Sequence, residues 1–375
     1  MKPPTPAVFR DQPTSTPPSV PRGTRKTFGS TLNLACALGL LGGSLTLTPR
    51  LAAQDALTVP VGVMAVTINA GTVSAPVTTS FSISLLEIPQ SAGATATRVT
   101  SLTATTLTAT APQWVAGGLS NIAAPYALRF TSGAAIGRTY GISTTTQNTV
   151  DTITIEAGTD LTTLSIVTGS AGDTFEIIPI DTLNTLFGSN TLLGGATASS
   201  ADIVTLMSGS KSFFYYNTTL LRWVRTSGPT SDRGNVSIPL NSAISITRKS
   251  TAFQLAILGR VPSVLHTHVV ANAGSTFTNT GFPATVTIGA LAIQSKIPGW
   301  VSNATSGAAD WLIVSNGITT TNYFFNGTNW LRTTGPSSVR DDNTIDAGNY
   351  ISIFKRGVVS GTSLYTNAVP YSLTQ

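Results

Sequence analysis

The stretch Phe213-Phe-Tyr-Tyr-Asn-Thr-Thr-Leu-Leu-Arg-Trp-Val-Arg-Thr-Ser-Gly-Pro-Thr-Ser-Asp232 decides the fold, because a close relative of it returns later in the same chain. The second version is Tyr323-Phe-Phe-Asn-Gly-Thr-Asn-Trp-Leu-Arg-Thr-Thr-Gly-Pro-Ser-Ser-Val-Arg-Asp341. Gly228-Pro229 and Gly335-Pro336 lie 107 residues apart. A repeat of that length exceeds the 20 to 50 residues of solenoid and propeller units, so it predicts a duplicated small domain.

The residues that flank both versions extend the repeat. An Ala-Asp pair precedes each one, at Asp202 and at Asp310, where we expect turn or cap roles. An alternating strand that ends in two basic residues follows each one, at Arg248-Lys249 and at Lys355-Arg356. The C-terminal half is therefore predicted to hold two related modules.

Each repeat has the pattern of an aromatic hairpin. Asn326-Gly327 stands between two short strands, and Asn-Gly is the strongest local signal for a two-residue β-turn. The aromatic residues on either side of the turn allow two interpretations. They pack across the strands as core, which is the commoner role of aromatics in sheets, or they form a weak sugar-stacking site at Tyr216, Trp223, Tyr323 and Trp330.

The rest of the chain has alternating patterns typical of strands, with turn signals between them. A short helix is predicted within residues 179–187, with Gly188 as its stop. The fold class is therefore all-β: tandem small β-sandwich or barrel-like modules, a duplicated C-terminal half and at most short helices. The predicted domains are a signal peptide (1–53), an N-terminal β-module (54–180), a first repeat module (181–262) and a second repeat module (263–375).

Residues 1–53 have the features of an export signal. Basic residues precede an apolar run from Leu32 to about Leu47, and Leu51-Ala-Ala53 offers small residues for cleavage. The run is shorter than the ~20 residues of a spanning helix, so no stable membrane span is expected after cleavage. Cys36, the single cysteine, lies in this segment, so the exported chain would have no disulfide.

The net charge of +6 comes mostly from residues 1–53, so it says little about the rest of the chain. Residues 1–53 contain six of the 21 basic and one of the 15 acidic residues, so the remainder is nearly neutral. A nearly neutral chain offers no electrostatic attraction to nucleic acid, which we exclude as a partner. Charged residues make up 10% of the sequence, against about 25% in average proteins. Weakly charged, Thr-rich strands favour association between copies, although they are also found in soluble secreted β-proteins.

Few residues are suited to catalysis or metal binding. His266 and His268 would share one face of a strand, where they are either a pair of metal or proton-relay groups or surface and edge histidines. The loop Asp341-Asp-Asn-Thr-Ile-Asp346 has oxygen ligands suited to calcium, but it lacks the EF-hand pattern and is better interpreted as a solvated turn. No nucleotide, zinc-protease or serine-hydrolase motif occurs. We therefore predict no catalytic, metal or cofactor site and no enzyme activity.

Several short segments carry a resemblance to a known group of proteins: residues 131–138, 172–177, 182–188, 200–202 and the aromatic segments of both repeats. At these residues the chain resembles a family of uncharacterised secreted proteins from verrucomicrobial bacteria. The resemblance implies export and a β-rich architecture, and it assigns no activity.

Taken together, these features predict a secreted or cell-surface bacterial protein with a structural role. Its copies would associate through their β-modules into a filament, layer or sheath. The alternative is an adhesin or carbohydrate-binding surface protein that binds a cell-surface glycan without catalysis.

Overall fold

The structure is a computed structural model that describes residues 60–372 except 88–96, 111–113, 157, 159, 209 and 358–359. The predicted signal peptide lies outside the described residues. Regular structure in the described part is almost entirely strand, and its α-helices are four or five residues long. The prediction of an all-β fold of several modules is confirmed.

The described part begins with two strands that are followed by a separate six-stranded module. The two strands are β1 (Val61–Ile68) and β2 (Val77–Ser82). The six strands of the module are β3 (Thr97–Leu102), β4 (Thr106–Thr110), β5 (Tyr126–Phe130), β6 (Thr139–Gly141), β7 (Thr152–Thr154) and β8 (Thr174–Pro179).

The six strands form a sheet that closes on itself. Their order is β6-β5-β8-β3-β4-β7, and the two outer strands meet through a bridge between Ile142 and Ile155. The amide of Glu156 donates to the carbonyl of Gly141 at 2.8 Å beside that bridge. The inward positions of the strands are apolar and fully buried, including Leu128 and Phe175. We call this unit the inserted module.

The chain then forms the main part of the first repeat. Helix α1 spans Leu183–Phe187. Thr182 caps its N-terminus, where its hydroxyl accepts from the amide of Thr185 at 3.2 Å, and Gly188 caps its C-terminus with φ 59°. Its strands are β9 (Ile203–Ser208), β10 (Ser210–Asn217), β11 (Arg222–Arg225), β12 (Ala243–Arg248) and β13 (Phe253–Arg260).

The second repeat contains the remaining elements. Its strands are β14 (His266–Ala271), β15 (Gly274–Thr278), β16 (Val286–Thr287), β17 (Trp311–Ser315), β18 (Thr320–Phe325), β19 (Trp330–Arg332), β20 (Thr344–Ile345), β21 (Ile351–Lys355) and β22 (Thr362–Asn367). Its helices are α2 (Ile288–Leu291) and α3 (Ile293–Lys296).

The two repeats share one topology. The first has a five-stranded antiparallel sheet in the order β11-β10-β9-β12-β2, and the second has the order β19-β18-β17-β21-β15. Each repeat also has a two-stranded ribbon made of its first and last strands, β1 with β13 and β14 with β22. One face of the ribbon packs on the five-stranded sheet, so each repeat is a small sandwich with its own core.

The first repeat therefore begins earlier than the predicted boundary at residue 181. Strands β1 and β2, which the sequence analysis places in the N-terminal module, pair with β13 and β12. Hydrogen bonds between side-chain hydroxyls also connect β2 and β12, with 3.0 Å between the Oγ1 atoms of Thr78 and Thr247. The inserted module thus interrupts the first repeat between β2 and α1.

The repeats pack against each other at the outer edge of β2. The amides of Ser80 and Ser82 donate to the carbonyls of Gly317 and Gly348 at 2.6 and 2.8 Å. A small apolar cluster of Met207, Ala243, Phe277 and Tyr350 lies beside these bonds. The second repeat therefore occupies an edge that would otherwise present unpaired backbone groups.

The inserted module contacts the segment that joins the two repeats. Glu176 forms ion pairs with Arg129 at 3.3 Å and with Arg260 at 2.6 Å, so one carboxylate is paired with cations from both units. Arg129 also donates to the carbonyl of Leu265 at 3.2 Å. None of the helices in the described residues has the length and the apolar run needed to span a bilayer.

Candidate functional site

Three of the four aromatic residues predicted as a stacking site lie in the cores of the repeats. Trp223 is 1% exposed, Trp330 is 0% exposed and Tyr323 is 7% exposed. The indole N–H of Trp223 donates to the carbonyl of Gly188 at 3.0 Å. These rings fill the sandwiches and present no face to a sugar. Tyr216, the fourth, is half-buried.

An open groove with a volume of about 580 Å³ lies at Tyr216. Loop 189–194 between α1 and β9 forms one side, and residues from the end of β10, the following turn and the end of β12 form the other. The lining residues are Ser189, Asn190, Thr191, Leu192, Leu193, Gly194, Tyr216, Thr218, Leu221, Arg248 and Ser250. We call this feature the Tyr216 groove.

The polar side chains of the groove are not engaged with the protein. In the part of the chain that the structure describes, the side chains of Ser189, Asn190, Thr191, Thr218 and Ser250 form no hydrogen bond with another protein group. Elsewhere hydroxyls pair with each other, as Ser80 does with Ser245 at 3.0 Å. The groove therefore offers donors and acceptors to a ligand.

A buried ion pair fixes the wall of the groove. Asp202 is 1% exposed, and its carboxylate accepts from the amides of Leu193 at 2.8 Å and Lys249 at 2.7 Å. The same carboxylate forms an ion pair with Arg248, whose guanidinium lies 4.7 Å from the ring centre of Phe253. The charge of Arg248 is thus neutralised at the groove wall. Asp202 is a buried anchor between two segments, beyond the turn role expected from the sequence.

The second repeat has the same anchor but different residues around it. Asp310 accepts from the amides of Val301 and Arg356, at 2.8 Å each. Trp300 stands where the first repeat has Leu192, and its ring packs against Trp330 at 5.7 Å. Phe325 replaces Tyr216, so the second repeat has a larger side chain in place of Leu192 and a less polar one in place of Tyr216.

A second exposed surface lies on the outer face of the β1–β13 ribbon. Val61, Val63 and Leu258 are 56%, 66% and 58% exposed, although all three belong to regular strands. Val63 is paired with Leu258, and Ala65 with Ala256. We call these five residues, Val61, Val63, Ala65, Ala256 and Leu258, the ribbon face. These five side chains are apolar, and Arg260, which is paired with Val61 at the end of the same face, is half-buried and forms an ion pair with Glu176 of the inserted module.

The ribbon of the second repeat is partly covered. Thr267 donates its amide to the carbonyl of Gly137 at 3.3 Å and its hydroxyl to the carbonyl of Ile136 at 2.9 Å, so the inserted module touches β14. The exposed valine on this ribbon is Val269, at 46%. It provides a matched comparison for Val63.

The two histidines share the inner face of β14, with ring centres 5.9 Å apart. His266 is 4% exposed and its Nε2 has no hydrogen-bond partner in the described structure, so its side chain is buried and not at the surface, although β14 is an edge strand of its two-stranded ribbon. Burial, then the nearby His268 and Arg129, lower the pKa of His266 well below its usual value. Burial lowers the pKa of His268 to about 4. Both rings are therefore neutral at pH 7.

Two aspartates of loop 341–346 accept hydrogen bonds from neighbouring groups of the protein. Asp341 accepts from the amide of Trp330 at 3.2 Å, and Asp346 accepts from the hydroxyl of Thr285 at 3.2 Å. Within the described ranges, no group of three or more His, Cys, Asp or Glu side chains is placed to hold a metal ion.

Neither exposed surface is predicted from the sequence. A local signal for the groove was present, because the hairpin turn of the first repeat contains the exposed residues Leu220 and Leu221, where apolar side chains are unusual. The alternation of residues 61–68 predicts a half-exposed strand. That alternation does not show that the outward-facing residues of the partner strand β13 are also apolar.

Comparison with known proteins finds no match to a family model, a curated protein or a solved structure. The resemblance to secreted verrucomicrobial proteins therefore stays a prediction.

Proposed function

We propose that the protein is exported and serves as a structural subunit of the bacterial cell surface, in which copies associate through the ribbon face. The observation that carries the proposal is the exposure of Val61, Val63 and Leu258 on an ordered two-stranded ribbon. Contiguous apolar surface of this kind marks interaction sites in soluble proteins.

A second copy of the same chain is the partner that fits this face. The five residues of the ribbon face carry no charge, and the adjacent Arg260 is half-buried and paired with Glu176, so two copies can approach with little electrostatic repulsion or loss of hydration of a charge. An antiparallel ribbon is also compatible with a twofold axis, which brings the same residues of both copies together.

The five-stranded sheets are less suited to edge pairing than their sequences predict. The second repeat covers the edge of β2, and the opposite edge strands β11 and β19 are four and three residues long. Bridges from Arg225 to Gly228 and from Leu331 to Val339 fold the chain back beside them. Sheet extension is therefore disfavoured at β2, β11 and β19, which makes the ribbon a better contact than these edges.

The size of the ribbon limits the strength of one contact. Eight residues at about 3.4 Å each make a ribbon about 27 Å long, and a face two strands wide is smaller than the ~800 Å² per partner of a stable interface. We therefore expect association to depend on concentration and to be reinforced by repeated contacts along an assembly.

Sedimentation of the purified protein over a range of concentrations tests the proposal. The wild type is expected to form larger species as concentration rises, and the double variant Val63→Lys with Leu258→Lys is expected to stay monomeric. Val269→Lys, on the partly covered ribbon of the second repeat, is the matched control and should behave like the wild type. A wild type that remains monomeric, or a double variant that associates equally well, would refute the proposal.

Export is a separate part of the proposal and needs its own measurement. N-terminal sequencing of protein recovered outside the cytoplasm is expected to begin near residue 54. Recovery of an intact chain from the cytoplasm alone would contradict export without bearing on the ribbon.

A further inference from the structure

The Tyr216 groove combines an aromatic ring with a fixed position and an exposed aliphatic rim. The Tyr216 ring packs edge-to-face on Trp223, with 6.0 Å between ring centres and 75° between planes. Trp223 in turn contacts Phe187 at 5.9 Å, so the core holds the tyrosine in place. A ring that is already ordered loses little conformational entropy when a ligand packs on it.

Leu221 forms the rim in an unusual backbone conformation. It is 73% exposed and has φ 51°, a region that residues other than glycine rarely adopt. Asn217 stabilises the turn by accepting from the amides of Thr219 and Leu220, at 2.9 Å each. In the second repeat the segment from the equivalent Asn326 to Trp330 is two residues shorter than the segment from Asn217 to Trp223. The longer turn of the first repeat thus places the Leu221 side chain beside the groove.

The charge of the groove points to an uncharged ligand. Among the lining residues Arg248 is the one charged side chain, and Asp202 neutralises it. Five polar side chains remain available, as described above. A volume of about 580 Å³ also falls within the roughly 300–1,000 Å³ of pockets that bind small ligands.

We propose that the Tyr216 groove binds a neutral oligosaccharide. The apolar C–H face of a sugar ring would pack on Tyr216 and Leu221, and its hydroxyls would exchange hydrogen bonds with the side chains of loop 189–194, Thr218 and Ser250. This site is independent of association through the ribbon face. A chain with both surfaces would anchor an assembly to surface glycan.

Isothermal titration of the purified protein with cellohexaose, maltohexaose, mannohexaose and xylohexaose tests the site, with hexagalacturonate as an anionic probe. At least one neutral probe is expected to bind. The variants Tyr216→Ala and Leu221→Gly should each weaken that binding about tenfold, which corresponds to about 1.4 kcal/mol. Leu221→Gly is the safer variant for folding, because glycine adopts positive φ without strain.

Ile318→Gly, which removes an exposed aliphatic side chain from a loop of the second repeat, is the control and should bind like the wild type. The proposal is overturned if no neutral probe binds, if both groove variants bind normally while folded, or if hexagalacturonate binds more tightly than every neutral probe. Repeating the titration with the V63K/L258K variant separates this result from association, since that variant retains the groove.

Discussion

Replacing Asp202 with alanine should destabilise the protein strongly, because the carboxylate links loop 189–194 to the end of β12 inside the first repeat. It accepts from the amides of Leu193 and Lys249 and pairs with Arg248, while Asp202 itself is 1% exposed. Removing one member of a buried ion pair costs about 3–5 kcal/mol, because the remaining charge stays buried without a partner. We expect Asp202→Ala to lower the free energy of unfolding by about that amount.

Urea denaturation followed by tryptophan fluorescence measures the change. Asp342→Ala, at an exposed acid, is the control and should change stability by less than about 0.5 kcal/mol. Adding Arg248→Met to Asp202→Ala should recover part of the loss, since no unpaired charge then remains. A loss below about 1 kcal/mol for Asp202→Ala, or no recovery in the double variant, would refute the assignment of Asp202 as a buried anchor.

The other predictions concern the second repeat and the inserted module. Asp310→Ala should cost less than Asp202→Ala in the same assay, because Lys355 lies 3.7 Å from Asp310 and also donates to the carbonyls of Pro298 and Gly299; an equal or larger loss would contradict this. The two histidines of β14 should make stability fall with acid: an unfolded histidine has a pKa of about 6.5, and His268 in the folded state has a pKa of about 4. The unfolded chain therefore binds more protons between these values, and stability should decrease as pH falls through this window, by up to about 1.4 kcal/mol per pH unit for each histidine. His268→Gln should reduce that slope in denaturation curves at several pH values, and an unchanged slope would count against it. Gly137→Ala should loosen the inserted module, because Gly137 has φ 78° and a Cβ there would lie 2.2 Å from the carbonyl oxygen of Leu265; hydrogen exchange should rise at residues 265–267 and stay slow in β5, and slow exchange in both places would show that the contact tolerates a side chain.

The repeat and its hairpins could be predicted from the sequence because their signals are local. Asn326-Gly327 lies in the turn between β18 and β19, with Gly327 at φ 104°. Aromatic residues pack across the strands of both hairpins, Tyr216 with Trp223 and Phe325 with Trp330. The short helix before Gly188 is also confirmed.

The extent of the first repeat could not be predicted, because it depends on pairing between distant strands. Ser80 of β2 faces Ser245 of β12, and the inserted module separates them along the chain. The alternation of β2 predicts a strand but carries no information about its neighbour. The groove escaped prediction for a similar reason, since loop 189–194, the end of β10 and the end of β12 meet only in the folded chain.

Disulfide trapping at the ribbon face tests association through this surface most directly. Cys36 is the single native cysteine and lies in the predicted signal peptide, so Val63→Cys would give an exported protein with one thiol on the ribbon face. Mild oxidation of the concentrated protein is expected to give a covalent dimer with Val63→Cys and little dimer with Val269→Cys. Equal dimer yields from the two variants, or none from Val63→Cys at concentrations where larger species form, would contradict association through the ribbon face.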